Sequence, residues 1–88
     1  MKKRERLDII SDVLHSIRKK RDIKPTKLLH DSNLSPQAFK EYINELIIKE
    51  FIRLEINDEK KTFSITPKGN NFLEEYKVMK KFVESFGL

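Results

Sequence analysis

Four polar side chains, Gln37, Lys40, Glu41 and Asn44, follow one another at steps of three, one and three residues. In a helix of 3.6 residues per turn those steps put all four on one face. Amide, ammonium and carboxylate groups along one rod supply both donors and acceptors, which is the chemistry needed to match base-pair edges in a DNA major groove. The plain reading of the same row is a solvated helix surface, and residue types alone do not separate the two. A second set suits phosphate. Lys24, Thr26 and Lys27 surround Pro25, where a helix start would add free backbone N–H groups to the cations. Lys60 and Lys61 make a third basic position. Arg4, Arg6, Lys19, Lys20 and Arg21 would add long-range attraction, although charges at helix ends are commonly just solvated.

Other chemistry is poorly supplied. His15 and His30 fall on different predicted helices, there is no cysteine, and Gly69 and Gly87 are the only glycines. That leaves no histidine–carboxylate cluster, no thiolate and no glycine-rich phosphate loop. No enzymatic activity, cofactor or metal is expected. The lack of cysteine also fits a reducing cytoplasm, with the nucleoid as the expected location. After the basic start, an amphipathic pattern broken by Asp8, Asp12 and Arg18 speaks against an export signal or a membrane span.

Nineteen Lys and Arg against fourteen Asp and Glu give a net charge of +5, the sign expected of a protein with a polyanionic partner. The distribution is uneven. Residues 1–30 carry net +6, residues 31–66 net −2 and the remainder net +1. The row at Gln37–Asn44 therefore lies in the least basic part of the chain.

The elements that must carry these residues follow from periodicity. Leu7, Ile10, Val13 or Leu14, and Ile17 recur at helical spacing, which predicts a first helix from Arg4 to about Lys20. Pro25 opens a short second helix to about Asp31 that buries Leu28 and Leu29. Ser35-Pro36 pairs a capping hydroxyl with proline at the first helical position. The third helix then runs to about Lys49, with Phe39, Ile43, Leu46 and Ile47 inward and Tyr42 packing beside them. From Phe51 to Ile65 the period drops to two: Ile52, Leu54 and Ile56, then Phe63 and Ile65, predict two core-facing strands. Asn57-Asp58-Glu59-Lys60 has the composition of a hairpin loop, weakened by the lack of glycine. Thr66-Pro67 repeats the capping device and starts a fourth helix reaching about Phe86. The expected fold is mainly α with a small β-hairpin, in the order α-α-α-β-β-α, as one domain over residues 1–88.

The run from Leu34-Ser35-Pro36-Gln37 through Leu46 to Phe51-Ile52, followed by the hairpin and Phe63-Ser64-Ile65-Thr66-Pro67-Lys68-Gly69, resembles the winged helix-turn-helix pattern of transcriptional regulators. It is most like the small archaeal regulators and chromatin proteins that dimerise through a C-terminal helix. The resemblance spans nearly the whole chain. It implies a double-stranded DNA-binding protein, with the helix from Ser35 to Lys49 in the major groove and the hairpin as a wing. Two departures stand out. Glu50 holds the place where the family usually has a helix-closing glycine, which predicts a different turn. Glu55, Asp58 and Glu59 share the wing with Lys60 and Lys61, which argues against deep insertion into the minor groove.

Phe72, Tyr76, Met79, Val83 and Phe86 are spaced four, three, four and three, the seam of a coiled coil. The first part reads as core. Met79, Phe82, Val83 and Phe86 exceed what a domain of this size covers, so residues 67–86 are expected to form the helix of a homodimer. The alternative is that they fold back on the first helix. The function so read is a sequence-selective DNA-binding transcriptional regulator; the competing functions are a winged-helix protein-interaction module and a non-specific DNA-coating chromatin protein, with single-stranded nucleic-acid binding a third option that lacks an exposed aromatic platform.

Overall fold

The computed structural model describes residues 5–88. Helix α1, Arg6–Lys19, opens with the Glu5 N–H donating to Asp8 Oδ2 at 3.4 Å. Arg4, placed in this helix by the sequence pattern, lies outside the described residues. Ile10, Val13, Leu14 and Ile17 form the buried stripe. Leu7 belongs to the same face by spacing but is exposed, one turn beyond the end of the core.

Helix α2, Pro25–Ser32, has proline in its first turn and ends at Asn33, whose φ of 57° closes it in the left-handed region. Leu28 is fully buried, whereas Leu29 is only partly so. The buried Ser32 hydroxyl donates to Leu29 O at 2.8 Å and accepts from the Leu34 N–H at 3.3 Å, so this polar group is satisfied inside the turn. Helix α3, Pro36–Ile48, is capped as its sequence predicts: Ser35 Oγ accepts from the Ala38 N–H at 3.2 Å. Ile43 and Leu46 are buried, with Phe39, Tyr42 and Ile47 packed against them.

Strands β1, Ile52–Asn57, and β2, Lys60–Ile65, pair antiparallel from Ile52↔Ile65 to Asn57↔Lys60. Asp58 and Glu59 turn the chain with φ of 48° and 66°, the positive values at both central positions that a type I′ hairpin turn demands. The strands face the core only in part, contrary to the expectation from their alternation. Ile52 and Phe63 enter the core, but Leu54 and Ile56 are 41% and 61% exposed. Period two identifies the face they share with Ile52; it does not say how far along that face the helices extend. One core residue had no periodic signal at all. Ile23, between α1 and α2, is buried and its carbonyl accepts from the Phe63 N–H at 2.9 Å, bridging to the edge of the hairpin.

Helix α4, Pro67–Glu84, packs along α1. Arg18 Nη1 donates to Asn70 Oδ1 at 3.0 Å and reaches Glu74 Oε1 at 3.5 Å. Lower down, Asp8 Oδ1 accepts from the Tyr76 hydroxyl and from Lys80 Nζ, the latter at 3.4 Å. The helix ends at Glu84, so Phe86 falls in the turn beyond it. Among the described residues no helix is long and apolar enough to cross a membrane.

Candidate nucleic-acid interface

The buried side of α3 determines what its other side presents. With Ile43 and Leu46 locked in the core, Gln37, Lys40, Glu41 and Asn44 are all exposed along the outer face. Gln37 Nε2 donates to Glu41 Oε1 at 3.2 Å, an i,i+4 pair that aligns two of the four side chains along the helix. Glu45 sits at the margin of this face. It accepts from Lys49 Nζ at 3.0 Å and is ion-paired with Arg6, so Arg6, one of the long-range cations of the sequence reading, serves a contact between α1 and α3. Ile48, which carries no hydrogen-bonding group, joins this face. It is 78% exposed, and its spacing of four from Asn44 and seven from Glu41 is the signal that identifies it.

The expected phosphate ligands surround the start of α2. Lys24 occupies the N-cap without offering a side-chain cap, so the first N–H groups of the helix are left for other acceptors. Lys24, Thr26 and Lys27 are exposed, although Lys27 Nζ also pairs with Asp31 Oδ1 at 3.1 Å. Thr26 lines a shallow groove with Leu29, His30, Asn33, Ser35 and Pro36, which brings the starts of α2 and α3 to one concavity. A neighbouring groove gathers Lys19, Lys20 and Lys27 with His15. Arg21 belongs elsewhere, lining a depression with Ser64 and Ile65 of β2. Lys60 and Lys61 are exposed at the start of β2, directly after the carboxylates of Asp58 and Glu59. The wing tip is therefore mixed in charge, as its sequence implies.

A joint between α3 and α4 fixes how the outer face of α3 is held. The turn after α3 corrects the sequence reading: Glu50 itself takes φ 62°, the Glu50 N–H donates to Ile47 O at 3.0 Å and the Phe51 N–H to Leu46 O at 2.9 Å. These are the two bonds of a Schellman closure, made without the usual glycine. The segment Thr66-Pro67-Lys68-Gly69 binds that turn. Thr66 Oγ1 accepts from the Gly69 N–H at 3.1 Å while donating to Glu50 O at 2.6 Å. The Thr66 N–H donates to Phe51 O at 3.1 Å. Lys68 Nζ donates to Lys49 O at 2.9 Å and lies 5.2 Å from the centre of the Phe51 ring. Gly69 is required by space, because a Cβ there would stand 2.2 Å from Phe51 O. Each residue of this short motif except the proline thus ties the start of α4 to the end of α3, and Pro67 supplies a first helical position that needs no donor.

Beyond Tyr76 the apolar face of α4 is uncovered. Met79, Phe82, Val83 and Phe86 are all exposed, and Phe82 and Phe86 meet edge to face at 5.2 Å between ring centres. They do not fold back on α1, whose contact with α4 runs through Arg18 and Asp8. Burial, and then the hydrogen bond to Asp8, push the Tyr76 hydroxyl up to about 12. That bond in turn holds the Asp8 carboxyl below its ordinary value.

Comparison with known proteins agrees with this architecture. Residues 3–84 match the model of the winged helix-turn-helix family. An uncharacterised protein of Methanocaldococcus jannaschii is 35% identical over 72 residues, covering 82% of this chain and 32% of that protein; the chain thus spans about a third of that relative's length. Among solved structures, Sso10a-2, a DNA-binding protein from Sulfolobus solfataricus, superposes with a TM-score of 0.79 over 94% of this chain and 85% of its own, at 17% identity. AF1382 from Archaeoglobus fulgidus gives 0.70 over 88% and 89%, at 15% identity. Oxidised MarR from E. coli gives 0.70 over 77% of this chain and 50% of its own, at 22% identity. At such identities the structural likeness speaks for the fold alone. The match over residues 3–84 settles the family: the chain belongs to the winged helix-turn-helix family.

Proposed function

We propose that this winged helix-turn-helix chain is a sequence-selective double-stranded DNA-binding protein that regulates transcription as a homodimer in the cytoplasm. The observation that carries the reading is the outer face of α3, on which Gln37, Lys40, Glu41 and Asn44 are exposed together while the opposite side of the helix is fixed in the core. Side chains held this way need little reorganisation to meet base edges. The net charge of +5 supports a polyanionic partner, and a fold neighbour from S. solfataricus is described as a DNA-binding protein. Lys24, Thr26 and Lys27 at the start of α2, with Lys60 and Lys61 on the wing, are the proposed phosphate ligands.

The exposed end of α4 supports the dimer. Burying Met79, Phe82, Val83 and Phe86 from two copies contributes on the order of 10–20 kcal/mol, against about 4–15 kcal/mol lost on association. A two-fold dimer presents two copies of α3, which favours inverted-repeat DNA with half-sites about one helical turn or a multiple apart.

Gel shifts on random duplex and on a selected oligonucleotide pool, at several salt concentrations, test the DNA reading. With roughly four to six cations on phosphates, log affinity falls against log salt with a slope of about −4 to −5. Gln37→Ala and Asn44→Ala each lose about 1–3 kcal/mol on the selected site and little on random DNA. A flat salt response, or no binding in either pool, rejects the proposal; equal losses on both DNAs reduce Gln37 and Asn44 to positioning residues.

A further inference from the structure

We infer that Ile48 is a further base-reading residue, one that recognises the C5 methyl group of a thymine in the major groove. The inference rests on the DNA-reading role proposed for α3. Successive residues of an α-helix are turned by about 100°, so Ile48 projects within about 20° of Gln37 and about 40° of Asn44. It therefore continues the exposed row one turn beyond Asn44, on the side away from the buried Leu46, and the Gln37–Glu41 pair runs along the same face. Folding gives no account of it. Its neighbour Ile47 packs against the core, whereas Ile48 is 78% exposed and the Arg6 and Lys49 contacts of α3 go to Glu45, not over it.

The chemistry of the groove floor selects the occupant. A row of hydrogen-bonding side chains that reads base edges meets only one apolar group there, the thymine methyl. Ile48 lies about 6 Å along the helix axis from Asn44, and about 16 Å from Gln37, so it reaches a base pair roughly two steps from the one read by Asn44. A branched aliphatic side chain has no donor or acceptor to misread the neighbouring polar edges. It rewards a methyl and is indifferent to the hydrogen bonds of the pair that carries it.

The test removes that methyl and nothing else. On the best duplex from the selected pool, each thymine is replaced in turn by deoxyuridine, which keeps every hydrogen-bonding group. Wild-type protein is expected to lose about three- to fivefold in affinity at one thymine position. Ile48→Ala should bind the thymine duplex more weakly by a similar factor and show no further loss on the uracil version, while Ile48→Val keeps most of the discrimination. Because the side chain is exposed and alanine favours helix, the variant is expected to fold normally, which thermal unfolding verifies. Wild-type binding unchanged by every uracil substitution overturns the inference. So does an Ile48→Ala protein that still senses the same methyl, which would leave Ile48 to a protein partner. In both cases the duplex is bound, so the DNA-reading proposal survives; its own failure is recognised separately, as no binding to the thymine duplex at all.

Discussion

Replacing Glu50 by glycine should make the domain more stable, although it removes a charged side chain and places the most flexible residue at the end of α3. Glu50 is held at φ 62°, where an L-residue other than glycine sits about 1–2 kcal/mol above its preferred backbone. Glycine escapes that strain but brings about 0.5–1 kcal/mol of extra freedom to the unfolded chain. The difference spans about 0–1.5 kcal/mol, with a central gain of about 0.5–1 kcal/mol. Nothing that closes the turn is lost, because the bonds to Ile47 O, Leu46 O and from Thr66 Oγ1 all use the backbone of residues 50 and 51 or the side chain of Thr66. For a domain of this size the gain raises the melting temperature by about 2–8 °C. Circular dichroism melts of the wild type, Glu50→Gly and Glu50→Ala check it. The alanine variant should not share the gain, since it keeps the strain. A glycine variant no more stable than the alanine variant would refute the reasoning, and would mean that the left-handed backbone at this turn stores no strain.

Two further outcomes follow from α4. The Tyr76 hydroxyl is raised from its ordinary 10 to about 12 in the fold, so its protonated form stabilises the native state. That stability is complete below about pH 10 and is lost as pH rises toward 12; the difference between wild type and Tyr76→Phe in urea unfolding should shrink across that window, and a constant difference would contradict it. Phe86→Glu, beyond the end of α4, should convert a homodimer to monomers in sedimentation while leaving the helical spectrum intact; a wild type that is monomeric at high micromolar concentration eliminates the dimer.

How much could be read from the chain depended on whether the determining interaction was local. Ser35-Pro36 and Thr66-Pro67 carry their own partners within three residues, Ala38 and Gly69, and both helix starts were legible. The outer row on α3 was legible for the same reason, since Phe39, Ile43 and Leu46 define its opposite side. Ile23 was not, because its burial and its bridge to Phe63 depend on a strand forty residues away. Leu54 and Ile56 show the converse failure: their alternation is real, but among the described residues no helix extends over them. At Glu50 residue type misled. The turn needs a positive φ, and the contacts to Thr66 and Lys68 hold a glutamate in it. Ile48 falls outside both sets of α3 residues, inward and outward, because the outer row is recognised by hydrogen-bonding groups, which an apolar side chain lacks, although its spacing from Asn44 places it on that face.

The proposed readers and the proposed anchors carry different shares of the charge, and this bears on how the protein would find a site. On α3 and its C-cap, Lys40 and Lys49 are balanced by Glu41 and Glu45, and Glu45 is further occupied by Arg6. A surface so nearly neutral adds little to non-specific attraction, which depends on cations alone. The anchor cations, Lys24 and Lys27 at the start of α2 and Lys60 and Lys61 on the wing, have no base-reading groups among them, and Lys19 and Lys20 add charge beside Lys27. Salt would then weaken binding through those cations on any sequence. The α3 row would set the ratio between right and wrong sequences with little change as salt rises, because its contacts exchange few counterions. A protein of this design loses affinity with salt while keeping its selectivity, whereas one whose reading helix is itself cationic loses selectivity less predictably as its base contacts and phosphate contacts compete for the same side chains.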